Sequence, residues 1–280
     1  MRILVVGATG VLGRHVVPRL LERGHSVRAV VRSIERAPLL REMGIEPVNG
    51  DILDAESLME AARGCEAAIH IATAIPRSGN RDWSLNDRIR RVGTRNLIEA
   101  ATKHGVRRYV QQSIVFLYGD RGQEIVTESA PMQPTPVIQS AADMEEIVRA
   151  SSLDWCILRG GAFYGPGTGA EDEWREAARE GRLLVPGDGS DLVSLVHVVD
   201  MARAVVIATE NAPAASVYNI VDDEPVSYGR LYTYIAAQAG VAAPQAGGSK
   251  AVRSLGCSNA RVKEELGWQP AYPTYRSGLV

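Results

Sequence analysis

Two rhythms of apolar residues alternate along the first half of this chain. Ile3 to Val6 form a short unbroken apolar run, the pattern of a strand covered on both faces. After Gly7, Gly10 and Gly13, apolar residues return at helical spacing as Val16, Val17, Leu20 and Leu21, and Gly24 stands where that helix would end. The alternation then repeats. Ser26–Val31 reads as a second strand, residues 34–43 as a helix stopped by Gly44, and residues 45–48 as a third strand. Asp54 is placed to cap a helix over 55–63, closed by Gly64. Residues 67–71 read as a fourth strand, followed by a polar loop over 73–80. Leu85, Ile89, Val92, Asn96, Leu97 and Ala100 mark one long helix reaching about His104, and residues 108–113 a fifth strand.

Beyond this point the pattern loosens. Residues 123–136 form a polar, Pro-containing loop, 140–150 a helix and 154–158 a sixth strand. From Arg159 onward Gly- and Pro-rich turns dominate, with a helix near 228–239. Repeated strand–helix units require a parallel sheet with helices on both faces. The expected fold is therefore α/β, a doubly wound parallel sheet of the dinucleotide-binding type, with a smaller C-terminal substrate domain. The expected boundaries are 1–162 and 163–280, with segments such as 193–210 returning to the sheet.

The glycine turn is the first candidate site. A buried strand, a turn of Gly7, Thr9, Gly10, Val11, Leu12 and Gly13, and a helix N-terminus together make an anion receptor. Backbone N–H groups and the positive end of the helix dipole face the ligand, and absent Cβ atoms allow close approach. The strand before and the helix after supply the context that a bare glycine triplet lacks. The residue after the second strand then separates NAD(H) from NADP(H). A carboxylate there would accept the ribose 2′-hydroxyl and repel a 2′-phosphate. This chain instead has Arg32, with Arg36 one turn on, and no acid between Glu22 and Glu35. Arginine pairs well with phosphate, so NADP(H) is expected over NAD(H). Asp51 and Ile52 follow the third strand, where a carboxylate can meet the adenine amino group. Ile71, Ala72 and Thr73 end the fourth, where small residues let the nicotinamide ribose pack close.

Composition narrows the partners. The 280 residues carry a formal net charge of −2, with 45% hydrophobic and 23% charged residues, which points to no nucleic-acid or polyanionic partner. Cys65, Cys156 and Cys257 are widely spaced and odd in number, matching neither a disulfide framework nor a metal site. No run reaches membrane-spanning length, and the chain enters a strand at once with no charged leader, so the cytoplasm is expected. Only Lys103, Lys250 and Lys263 are lysines, so few are available for chemistry.

The motifs together resemble the extended and atypical short-chain dehydrogenases/reductases of the NAD-dependent epimerase/dehydratase type. The resemblance rests on GATGVLG at the start, GD at 50–51, AIHIAT at 68–73, VGTRNLIEAA at 92–101 and YVQQSIVFLYG at 109–119. It continues through LDWCILRGGAFYGPG at 153–167, LVHVVDMARAV at 195–205 and EELGWQPAYPTYRSGL at 264–279. It implies hydride chemistry at a hydroxyl or carbonyl carbon of a small substrate, and a possible homodimer through helices around 85–103 and 140–150.

That family implies a tyrosine, a lysine four residues later, a serine or threonine, and an asparagine. The ammonium serves to lower the tyrosine's pKa from about 10. Laid onto this sequence, those places hold Val137, Ala141, Ile114 and Arg90. Ser113 lies one residue early, which in a strand turns its side chain to the other face. A positioned acid/base contributes a factor of about 10² to 10⁴, so its loss limits how much activity the resemblance carries. Ser113, Tyr118 and Tyr164 are the candidate substitutes, Ser113 as a hydrogen-bonding group and the two tyrosines with a structural role as the plainer reading; no metal site is expected. Three functions follow: an NADP(H)-dependent oxidoreductase or epimerase-type enzyme with a non-standard proton donor, an NADP(H)-sensing protein without turnover, and a non-redox isomerase or cyclase.

Overall fold

The computed structural model describes residues 1–33, 35, 38–76, 82–248 and 253–279. Along the chain, β1 (Arg2–Val6) leads through the glycine turn into α1 (Gly13–Glu22). Then follow β2 (Ser26–Val31), α2 (Pro38–Glu42), β3 (Glu46–Asn49), α3 (Ala55–Ala62) and β4 (Ala67–His70). Helix α4 (Ser84–Arg88), a π-helical turn over Ile89–Gly93 and α5 (Thr94–Lys103) precede β5 (Arg108–Ile114). After β6 (Ile125–Val126) come α6 (Gln139–Arg149), β7 (Asp154–Gly160), β8 (Ala162–Tyr164) and α7 (Ala170–Arg179). The later strands are β9 (Val185–Pro186), β10 (Leu192–Val193), β11 (Leu195–His197), β12 (Ser216–Ile220), β13 (Val226–Ser227), β14 (Ala246–Gly248) and β15 (Gly256–Cys257). Among them lie α8 (Val198–Asn211) and α9 (Tyr228–Gln238), and α10 (Ala260–Leu266) and α11 (Tyr275–Gly278) close the chain.

A seven-stranded sheet in the order β12-β7-β5-β4-β1-β2-β3 carries the fold, as the doubly wound reading expects. Strand β1 is parallel to both neighbours, with Val5 opposite Ala29 on one side and Ile69 on the other. Ile3, Leu4 and Val5 are fully buried, which is why the strand reads as an unbroken apolar run. On α1, Val16, Val17 and Leu20 are buried, and Gly24 follows the helix with φ +78°. Asp54 caps α3 as its sequence position implies, Oδ1 accepting from the Glu56 N–H at 3.1 Å.

Two compact units interleave along the chain, where the sequence pattern draws one boundary near 162. The first comprises Met1–Ser113, Thr135–Leu158 and Ala202–Val217; the second comprises Ile114–Pro134, Arg159–Met201 and Tyr218–Val280. Leu4, Leu58, Ala61, Leu97, Ala100, Tyr109 and Ile157 form the heart of the first core. Tyr164, Leu195, Val226, Leu231, Ile235 and Tyr275 form that of the second.

One expected helix is described in part, and another differs from the observed one. Of the helix expected over 34–43, the described residues include Pro38–Glu42, and Ile34, Arg36 and Ala37 lie outside the described residues. The helix expected from Leu85 to His104 as one run is broken by the π turn, and its buried stripe differs. Leu85 and Val92 are exposed, while Asn86, Arg90 and Thr94 are buried. Gly93 explains part of the seating: a Cβ there would lie 2.8 Å from Ile52 Cγ1, so the turn rests on the residue that follows Asp51.

Replacing Asp54 with Ala removes the α3 cap. The expected loss is about 1 kcal/mol of unfolding free energy, read from a urea titration at unchanged slope.

Candidate functional site

The turn after β1 is built by close approach. Gly7 adopts φ +101°, and a Cβ on it would lie 2.6 Å from Ala72 N, at the end of β4. A Cβ on Gly13 would overlap the carbonyl oxygens of Gly7 and Ala8. The Gly10 N–H donates to Gly7 O at 3.0 Å, which folds the turn back on itself. At the start of α1 there is no side-chain cap and no acidic residue in the first turn. The Arg14, His15 and Val16 N–H groups donate to the carbonyls of Gly10 and Leu12, so what the helix start offers an anion is the positive end of its dipole with no acid opposing it. The absent Cβ atoms and the uncapped helix fit a dinucleotide pyrophosphate.

The neighbouring strand ends of the first unit carry the other expected cofactor residues. Arg32 is exposed one residue beyond β2, and Arg36 lies outside the described residues. Asp51 uses Oδ1 to accept from the Leu53 N–H at 2.8 Å and donates its own N–H to Ser57 Oγ at 3.1 Å. Ile52 is buried, and its carbonyl accepts from Asn96 Nδ2 at 3.0 Å. Ile71 is buried, Ala72 half-buried and Thr73 exposed. The Ala74 N–H donates to Asn86 Oδ1 at 2.9 Å, which fastens the segment after β4 to α4.

At the four places where the family resemblance implies catalytic groups, this chain offers different chemistry. Val137 is exposed and Ala141 fully buried. Ile114 ends β5, and Ser113 beside it points away, its Oγ donating to Glu145 Oε1 at 2.7 Å. Glu145 on α6 is fully buried and pairs through Oε2 with Arg149 at 3.3 Å. Arg90 is 6% exposed and donates from Nη1 to Ser140 Oγ at 3.1 Å. Under the π turn, the buried His70 ring is pushed down to about 4 by burial and is neutral at physiological pH.

In the second unit both candidate phenols are committed. Tyr118 is fully buried, donates to Asn219 Oδ1 at 2.7 Å, and lies under the Arg159 guanidinium at 4.8 Å. Burial pushes its pKa up to about 12 despite that cation. Tyr164 donates to Thr274 O at 3.3 Å and is pushed upward by burial and by the nearby Asp222 and Asp200 carboxylates. Neither is a base at neutral pH in this state. His197 is buried, stacked on Tyr272 at 3.7 Å between ring centroids, which accords with a core histidine.

Two groups carry more than their sequence positions suggest. Arg90 enters the sequence reading only as a lost asparagine, yet it is a buried cation. Asp222, the first of two adjacent acids, is 2% exposed, and burial raises its carboxyl to about 8. Among the described residues there is no cluster of three or more metal-ligating side chains, and no helix is long and apolar enough to cross a membrane.

This combination of a parallel sheet, a Cβ-free turn and an uncapped helix defines a dinucleotide-binding protein of the short-chain dehydrogenase/reductase type. A family profile described as NAD(P)H-binding matches residues 7–172, and the chain belongs to that family. A 3-diazoavenalumate denitrifying reductase from Streptomyces sp is 34% identical, with 100% of this chain and 99% of that protein covered. A 2-alkyl-3-oxoalkanoate reductase from Stenotrophomonas maltophilia is 31% identical over 86% of this chain and 76% of its own. Among solved structures, the dTDP-glucose 4,6-dehydratase of Streptomyces venezuelae with NAD bound superposes with a TM-score of 0.86 at 25% identity, covering 100% of this chain and 94% of that one.

The raised Asp222 carboxyl makes stability depend on pH. Between about 4 and 8 the folded chain keeps a proton there that the unfolded chain has released, so this group's contribution falls as pH rises. Asp222→Asn should melt close to wild type near the lower limit and higher than wild type near the upper one, read by thermal unfolding across that range.

Proposed function

We infer that this chain is an NADP(H)-dependent reductase acting on a small carbonyl- or hydroxyl-bearing molecule, with a site that lacks the usual phenol and ammonium. The observation that carries the reading is the turn from Gly7 to Gly13, where backbone occupies the space a Cβ would need and the helix start is left for an anion. The cofactor-binding residues assigned on this reading are Gly7, Thr9, Gly10, Val11, Leu12, Gly13, Arg32, Arg36, Asp51, Ile52, Ile71, Ala72 and Thr73. When bound, the dinucleotide supplies or accepts hydride. The chain's own residues hold it: Gly7, Gly10 and Gly13 at the diphosphate, Arg32 at the ribose 2′-phosphate, and the small Ala72 and Thr73 beside the nicotinamide ribose. The relatives named as reductases support the redox direction.

A second reading has a specific observation behind it. Val137 is exposed and Ala141 fully buried, so no group from this pair of positions can hold and move a proton. A dinucleotide-binding protein that reports cofactor state without turnover, or one that runs a non-redox isomerisation, would share that feature.

Calorimetric titration with NADP(H) and NAD(H) separates these readings, with Arg32→Ala alongside. The expected result is selective NADP(H) binding that weakens about tenfold or more in the variant while NAD(H) binding changes little, because one phosphate contact is lost. NADPH consumption with a panel of small ketones and oxo acids then marks the reductase. Binding without consumption marks the sensor, and loss of binding to both dinucleotides would leave the turn a structural feature alone.

A further inference from the structure

The charge balance around the π turn leaves one buried cation outside any ion pair among the described residues. Arg91 pairs with Asp143 at 2.6 Å and with Asp87 at 4.0 Å, and Asp87 also favours the charged form of Arg90 through space without pairing with it. Arg90, the more buried of the two, makes no ion pair among the described residues. Its one hydrogen bond is to the neutral Ser140 Oγ. A guanidinium offers five N–H donors and remains charged at physiological pH even where burial lowers its pKa. Burying such a group without a partner opposes folding. A ligand anion would satisfy it.

The surroundings say where that anion would sit. Asn86, one turn before Arg90, holds the Ala74 N–H just past the end of β4. Gly93, three residues after Arg90, rests on Ile52 just past β3. The backbone of Ile89 lies against the His70 ring at the end of β4. Ser140, which orients the guanidinium, adjoins the fully buried Ala141 at the start of α6. The cation therefore stands at the carboxyl ends of the parallel strands, the edge at which α/β sheets take their ligands. A π turn inside a helix is also a frequent mark of a functional position.

We propose that Arg90, oriented by Ser140, is a receptor for an anionic oxygen of the bound substrate, and that the substrate class is therefore a carboxylic acid. This rests on the reading of that strand edge as the substrate and cofactor side of the first unit. The dinucleotide's own phosphates are the other source of the same chemistry. They are already provided for by the backbone N–H groups of the glycine turn and by Arg32, which favours the substrate carboxylate. Guanidinium and carboxylate match as a two-point pair, whereas a neutral amide or ester in the same place would leave the buried charge unanswered.

The test uses the full chain saturated with NADP+, titrated calorimetrically with hexanoate, benzoate and trans-cinnamate, each beside its primary amide. At least one acid should bind ten or more times tighter than its amide and raise the melting temperature. Arg90→Gln should abolish that preference, Arg90→Lys should keep part of it, and NADP+ affinity should stay within twofold in both. Without ligand, Arg90→Met should melt above wild type, whereas removing a merely structural cation would lower the melting point. The proposal is overturned if all three acids bind no better than their amides. It is equally overturned if Arg90→Gln leaves the preference intact, or if that variant weakens NADP+ tenfold while acid binding is unchanged. Should wild type fail to bind NADP+ at all, the reductase reading fails, and the same acid–amide comparison on the unloaded chain still decides the role of Arg90.

Discussion

The approach of the turn after β1 to the end of β4 sets the terms for the first unit. Gly7 can lie against Ala72 only because it has no side chain, and Gly13 can close the turn under the carbonyls of Gly7 and Ala8 for the same reason. With these contacts made, α1 begins at the carboxyl edge of the sheet. Larger residues at either position would push β1 from β4 or tilt the helix. The two parallel pairings of β1, which run the length of that strand, hold the turn in place.

Around this rigid turn the chemistry has been redistributed. The positions that the family resemblance assigns to a phenol, an ammonium and a hydroxyl hold Val137, Ala141 and Ile114. Ser113 donates to the buried Glu145, which pairs with the exposed Arg149 within the first unit, while Arg91 pairs with two carboxylates. What is left over is one cation, Arg90, held by a neutral hydroxyl. In the second unit Tyr118 and Tyr164 serve their neighbours: the first satisfies Asn219 and the second the carbonyl of Thr274.

How far this was readable from residue order follows from what each residue does. The turn and the strand–helix alternation were legible because they depend on glycine spacing and on unbroken apolar runs, both local features. Asp54 was legible as a cap for the same reason. The buried face of the helix after β4 was not. The apolar rule assigns Leu85 and Val92 inward, whereas the structure buries Asn86, Arg90 and Thr94; Asn86 holds the Ala74 N–H past the end of β4, a contact that no local pattern signals. Asp222 escaped similarly. Two adjacent acids look solvated, and the burial arises from distant partners: the Asp222 N–H donates to Leu195 O and the Asp223 N–H to Pro273 O. Nothing local announces either contact.

The interleaving of the two units bears on how the chain acquires its structure during synthesis. Each unit draws on segments from both halves of the sequence, and β12, at one edge of the seven-stranded sheet, spans only Ser216–Ile220. A ribosome that has released the whole glycine turn and five sheet strands has still not supplied the pieces that complete either core. Once β7 has emerged, its outer edge has no strand partner until β12 follows. Sequence-distant pairing of this kind slows folding and leaves unpaired strand edges open to association. The seven-stranded sheet is therefore complete only once the segment through Ile220 has been synthesised.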